Sequence, residues 1–171
     1  MRPLLLALTV ALAAGCAVQR TDGGTGLVAP PQQAPAFSAP DQNGTPRTLA
    51  ACAGHPVILY FYPKDGTPGC TKEACAFRDA WSKLQAKGAI VYGVSSDSVE
   101  RHAAFVKEHA LPFSLLSDDG AMRKAYGVSS TLGYSSRVTF VIDGQGRIAR
   151  VFPDVDPAQH VTEVLAALDA L

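Results

Sequence analysis

Two cysteines five positions apart, Cys70 and Cys75, close the stretch YFYPKDGTPGCTKEAC that begins at Tyr60. A thiol pair can hold a metal, staple a fold, or react with an electrophile. The residues around Cys70 favour the third. Thr67 suits the N-cap of a helix, Pro68 its first position, and Cys70 then falls at N3. A thiol there faces unpaired backbone N–H groups and the positive end of the helix dipole. Both favour the thiolate, so its pKa is expected below the free value of about 8.5. Thr67 adds a hydroxyl able to bond the sulfur or an oxygen approaching it. Pro63, ahead of the loop, can shield the sulfur from bulk water. The bland alternative, a small cysteine packed on an apolar stripe, ignores this turn chemistry.

On a wound helix Cys75 lies roughly 140° around and about 7.5 Å along from Cys70. A disulfide needs Cα atoms about 4.4–6.8 Å apart, whereas the helix holds these two at roughly 8–9 Å. A permanent staple would therefore break the helix. A zinc site fails as well, because two thiolates on divergent faces have no further ligands at suitable spacing. What remains is a pair that meets only when the first turns unwind, as when a resolving cysteine attacks an oxidised partner.

The elements that must position this pair follow from periodicity. Val57 to Tyr62 is a continuous apolar run, the mark of a strand buried on both faces. Cys70, Ala74, Phe77, Trp81 and Leu84 recur at helical spacing, and Gly88 closes that helix. Ile90 to Val94 reads as a second buried strand, Ser98 to Ala110 as a helix stopped by Pro112, and Phe113 to Leu116 as an edge strand. A brief helix is expected around Ala121 to Tyr126. Val138 to Ile142 is a third strong strand, turned by Asp143-Gly144-Gln145-Gly146 into a hairpin with Arg147 to Phe152. Pro157 opens a last helix, and Asp41-Gln42-Asn43-Gly44 turns a small N-terminal hairpin. The sum is an α/β domain of thioredoxin-like layout, with a mixed central sheet covered on both faces by helices.

The segment Tyr60–Asp79 closely resembles the active site of peroxiredoxins, in the AhpC/TSA-type branch called bacterioferritin comigratory protein or PrxQ. Pro63, Thr67 and Cys70 fall on that family's Pro-x-x-x-Thr-x-x-Cys signature, and Cys75 on the resolving position of the branch. Arg137, in SRVTFVID, matches the family's arginine before a late strand. Ala39-Pro40-Asp41 and Leu116-Ser117-Asp118 extend the resemblance, which covers Phe37 to Leu171. It implies a thiol peroxidase acting on hydrogen peroxide and organic hydroperoxides. Cys70 becomes a sulfenic acid, Cys75 forms a disulfide with it, and a thioredoxin-like dithiol reduces that disulfide. Arg137 would lower the Cys70 pKa and bind the peroxide oxygens, and Thr67 would help stabilise shifting charge. No metal or organic cofactor is implied, since sulfur carries the electrons.

The remainder of the chain narrows the setting. Its 171 residues, 47% hydrophobic and 18% charged, suit one domain. Fifteen acidic and fifteen basic side chains balance, with no basic run to grip nucleic acid. MRPLLLALTVALAAGC has one Arg, an apolar run from Leu4 to Ala14 too short to span a bilayer, and small residues before Cys16. It reads as a signal peptide over residues 1–15 and resembles a bacterial lipobox, with Cys16 acylated. Ala17 lacks the Asp that retains such lipoproteins in the inner membrane, so outer-membrane attachment facing the periplasm is expected. Residues 16–36, rich in Gly, Pro and Gln, read as a flexible tether, and 37–171 as the folded domain. An internal resolving cysteine lets a monomer turn over alone. Cys52 is expected to pack in a turn, the four histidines to lie on surfaces or helix faces, and Lys64 and Asp65 to form a solvated loop pair. Glu73 has even claims to a bond within the site or none. Two rival functions are a thioredoxin-like thiol–disulfide oxidoreductase, which would want Cys-x-x-Cys where position 73 is Glu, and a non-enzymatic binding module on the same fold.

Overall fold

Val57–Phe61 (β3) is VILYF, and all five residues are buried. Such a strand must have neighbours on both edges and cover on both faces, and the structure supplies them. It is a computed structural model describing residues 19–171, so the expected signal peptide and Cys16 lie outside the described residues. Along the chain, β1 (Ser38–Pro40) and β2 (Pro46–Thr48) form the N-terminal hairpin, followed by a 3₁₀ turn at Ala50–Cys52 and then β3. The helices α1 (Pro68–Asp79) and α2 (Trp81–Ala86) lead to β4 (Ile90–Ser95), α3 (Val99–His109) and β5 (Ser114–Ser117). Next come α4 (Ala121–Ala125), the two-residue strands β6 (Ser130–Thr131) and β7 (Tyr134–Ser135), β8 (Val138–Ile142), β9 (Ile148–Phe152) and α5 (His160–Asp169).

The central sheet has the order β5-β4-β3-β8-β9. β3 pairs in parallel with β4 and antiparallel with β8, so the sheet is mixed and β5 is an edge, as expected. Alternation along β3 divides the core in two. Val57, Leu59 and Phe61 join Val94, Phe140, Met122 and Tyr126 on one face. Ile58, Tyr60 and Tyr62 join Cys70, Phe77, Leu84, Phe105 and Val164 on the other, beneath α1, α2, α3 and α5.

Three features differ from the sequence reading. The single helix expected to run to Gly88 is divided at Ala80 (φ −91°, ψ 5°) into α1 and α2. The last helix begins at His160 rather than Pro157, because the carbonyl of Asp156 accepts from Gln159 and His160 in a preceding turn. The expected tether is not free along its length. Val28 and Ala34 are buried in the first core cluster. Backbone bonds join Val28 to Tyr126, and Gln32 and Ala34 to the β9 end of the sheet through Ile148 and Gly146. A few apolar residues and main-chain bonds suffice to seat this Gly- and Pro-rich stretch, and it supplies part of the cover on the α4 face. No helix among the described residues is long and apolar enough to cross a membrane.

The fully buried Tyr126 donates its hydroxyl to the carbonyl of Pro35 at 2.8 Å. Tyr126→Phe should lower the unfolding free energy by about 1–2 kcal/mol and expose residues 27–36 to limited proteolysis before global unfolding. An unchanged urea midpoint and cleavage pattern would show that the segment does not depend on this bond.

Candidate active site

β3 ends beneath the start of α1, so the loop between them, Tyr62 to Thr67, delivers the helix N-terminus to the end of the central strand. Thr67 is the N-cap (φ −78°, ψ 146°), Pro68 the first helical residue and Cys70 the third. The N–H groups of Gly69 and Cys70 belong to the first turn and have no intrahelical acceptor. The Thr67 hydroxyl makes no capping bond and does not reach the sulfur. It donates to the carbonyl of Lys64 at 3.1 Å, bracing the loop, and its lone pairs remain able to accept. Pro63 is half-buried at the start of the loop.

Cys70 is 2% exposed. Its sulfur accepts from Arg137 Nη2 at 3.3 Å, and the other guanidinium nitrogen, Nη1, pairs with Glu73 Oε2. Arg137 stands immediately before β8, the antiparallel neighbour of β3, and so reaches the mouth of α1 from the adjacent strand. Gly69 makes room for it, since a Cβ there would lie 3.3 Å from Nη2. One half-buried cation thus serves a sulfur and a carboxylate one helical turn apart.

Burial pushes the Glu73 carboxyl up to about 7, against the opposing pull of Arg137. Burial also works against the Arg137 charge, but Glu73 and Cys70 outweigh it and hold the guanidinium above its ordinary value. Behind Glu73 stands His160, at the start of α5 and fully buried. Its Nε2 is 2.8 Å from Thr139 Oγ1 and 4.0 Å from Glu73 Oε1, and its ring meets Phe77 and Phe152 edge-on. Burial, followed by the charge of Arg137, depresses it to about 4, so it is neutral at physiological pH.

Cys75 is half-buried further along the same helix, and neither it nor Cys70 is in a disulfide. With α1 wound through both positions, the helical rise keeps them about 7.5 Å apart along its axis. The structure therefore brings together Thr67, Cys70 and Arg137, with Pro63 at the loop's entry, and sets Cys75 apart. Cys52 is buried in its turn as expected, with its sulfur 3.6 Å from Tyr92 Oη. Lys64 reaches Tyr134, its Nζ 3.3 Å from the hydroxyl. Asp65 overturns the expectation of a solvated loop pair, for it is buried and bonded to His102, which lies on α3 and is fully buried. Sequence reasoning did not single out Gly69 or Thr139. The i, i+3 spacing of Cys70 and Glu73 was the only available signal for the Arg137 pair.

Residues 30–151 match the AhpC/TSA family. The chain belongs to that family. It is 47% identical over 141 residues to a chloroplastic peroxiredoxin Q of Sedum lineare, covering 80% of this chain and 76% of that protein. It is also 47% identical over 145 residues to a putative peroxiredoxin bcp of Coxiella burnetii, covering 80% of this chain and 96% of the other. Among solved structures, peroxidoxin BcpB from Mycobacterium tuberculosis superimposes with a TM-score of 0.77 at 37% identity, over 82% of this chain and 96% of that one. A bacterioferritin comigratory protein of Xanthomonas campestris, studied for alkyl peroxide reduction, gives 0.73 at 37% identity over 78% and 90%. The protein is a thiol-dependent peroxidase with a thioredoxin-like fold, acting on peroxide and recycled by a thioredoxin-type reductant.

Glu73 binds its proton more tightly in the folded than in the unfolded chain, so between pH 4.5 and about 7 it makes stability fall as pH rises. His160 binds its proton more weakly when folded, so between about pH 4 and 6.5 it makes stability rise with pH. The two slopes oppose each other from pH 4.5 to 6.5. Glu73→Gln removes one of them, and its unfolding free energy should climb through that window more steeply than the wild type's in urea titrations. Parallel profiles would mean that Glu73 does not hold its proton in the folded state.

Proposed function

We propose that Cys70 is the peroxidatic cysteine and Cys75 the resolving one, and that hydrogen peroxide and organic hydroperoxides are both substrates. The observation that carries this reading is the Arg137 guanidinium donating to a cysteine sulfur in the first turn of α1. The Cys70 thiolate attacks the distal oxygen of the hydroperoxide, the O–O bond breaks, and water or an alcohol leaves after taking up one proton. Arg137 is placed to hold the oxygens and offset negative charge as it moves from sulfur to the leaving group. Thr67 Oγ1, with its own hydrogen committed to Lys64, accepts from the peroxide O–H. Cys75 then attacks the Cys70 sulfenic acid, expelling water and leaving a disulfide. Because α1 holds the two apart, its first turns must unwind for this step. An external dithiol reduces the disulfide, and α1 rewinds.

Cys70→Ser should abolish turnover. Cys75→Ser should consume one equivalent of peroxide and then stall with a thioredoxin-type donor, while mass spectrometry of the oxidised wild type finds a Cys70–Cys75 bond. Full steady-state turnover by the Cys75→Ser protein would remove Cys75 from the mechanism.

The enzyme acts as a monomer, lipid-anchored through Cys16 and facing the periplasm from the outer membrane. The support is the short apolar leader ending in Leu12-Ala13-Ala14-Gly15-Cys16, with Ala17 after it. Stable anchoring takes more than one acyl chain, which lipoprotein processing supplies. In a Gram-negative host the full chain should incorporate labelled fatty acid and sediment with outer membranes, and Cys16→Ser should do neither. Labelling that persists without Cys16 would refute the anchor.

A further inference from the structure

If α1 unwinds from its first turn at every cycle, the chain that feeds it must have a fixed end. Asp65 has the properties of one. It sits in the loop before the helix and is 2% exposed. Its Oδ1 accepts from the Tyr62 hydroxyl at 2.6 Å, and its Oδ2 accepts from His102 Nδ1 at 2.8 Å. Its N–H donates to Asp97 Oδ2 at 2.8 Å, and its carbonyl accepts from Arg101 Nη2 at 3.0 Å. Every polar group of this residue is thus engaged, by the end of β3, the turn after β4, and α3. Asp97 is itself held by the Ser95 hydroxyl at 2.8 Å and Arg101 Nε at 2.9 Å. His102 is fully buried on α3, with Nε2 lacking any partner among the described residues.

The next residue is the opposite. Gly66 is exposed, with φ +76°, and a Cβ there would meet only Arg101 Nη2 at 3.9 Å. Space does not require glycine here; the backbone angle does. A buried, fully bonded residue therefore meets an exposed glycine turn, bridged by the Thr67 hydroxyl's bond to the Lys64 carbonyl, four positions ahead of Cys70. A buried polar pair is no better for stability than a well-packed apolar one, because both groups lose water. Its benefit is to define one geometry.

We propose that Asp65 and His102 are positioning residues for the peroxidase: they clamp the chain ahead of a pivot at Gly66, so that Thr67 and Cys70 return to the same place beside Arg137 after each excursion toward Cys75. This rests on the assignment of Cys70 and Cys75 above. The two chemical steps make different demands on the clamp. Peroxide attack needs Cys70 registered against Arg137, and a misplacement of about 1 Å costs on the order of 10²-fold in rate. Disulfide formation needs only that the turn be open.

The test uses the full chain with His102→Leu, which removes the donor to Asp65, and His102→Asn, whose amide can place a donor near the Nδ1 position. Stopped-flow measurements with hydrogen peroxide would follow Cys70 oxidation in a Cys75→Ser background and disulfide formation in the Cys75 protein. His102→Leu should slow Cys70 oxidation about 10- to 100-fold and leave disulfide formation within about twofold, and His102→Asn should restore most of the loss. Should His102→Leu not fold, Asp65→Asn keeps the volume and an acceptor for Tyr62, and should show the same split more weakly. Wild-type oxidation rates in the folded variants, or equal losses in both steps that track thermal stability, would overturn the clamp. The Cys70–Cys75 disulfide of the wild type is mapped alongside, so a failure of the cysteine assignment shows separately.

Discussion

The Arg137 guanidinium joins three parts of the molecule that are distant in sequence. It arrives from the strand beside β3, meets the sulfur of Cys70 in the first turn of α1, and pairs with Glu73 one turn on. Removing a cation from water is costly, and it is tolerated only where opposite charge and hydrogen bonds meet it. Here the carboxylate and the sulfur do so together. The same contact ties the helix to the neighbouring strand and places a positive charge against the Cys70 sulfur. Glu73 is not a passive partner. Burial pushes its carboxyl up to about 7 while Arg137 pulls the other way.

Two buried acid–histidine pairs flank the helix entrance and behave differently. Asp65 and His102 make direct hydrogen bonds within a network that reaches β4 and α3. Glu73 and His160 stand 4.0 Å apart with open valences on both. The first arrangement suits a part that stays in place. The second suits one that lets go, as it must if Glu73, lying between the two cysteines, moves when the turn opens.

Much of this was legible because turn chemistry is local. Thr67-Pro68-Gly69-Cys70 announces a capped helix with a cysteine in its first turn, and VILYF and VTFVI announce the strands that carry Cys70 and Arg137 to one end of the sheet. Asp65, His102 and His160 were not legible. A polar residue in a loop or on a helix reads as solvated unless its partner is known, and the partner of Asp65 lies 37 positions away. The stretch from residue 27 to 36 misled for a similar reason. Its composition is that of a linker, and only the groove between α4 and the β9 end of the sheet turns Val28 and Ala34 into core. The strands β6 and β7 are two residues each, below what any periodicity can register.

Placing the proposed peroxidatic and resolving sulfurs on one helix has a kinetic consequence. Closure between them is first order in protein, whereas further attack by a second peroxide on the sulfenic acid grows with peroxide concentration. The competition is decided by how often α1 frays, and so by the strength of the very contacts that make the first attack efficient. A tighter grip on the wound helix leaves the half-oxidised sulfur waiting longer in the presence of its own substrate, and a looser one shortens the wait at the expense of aim.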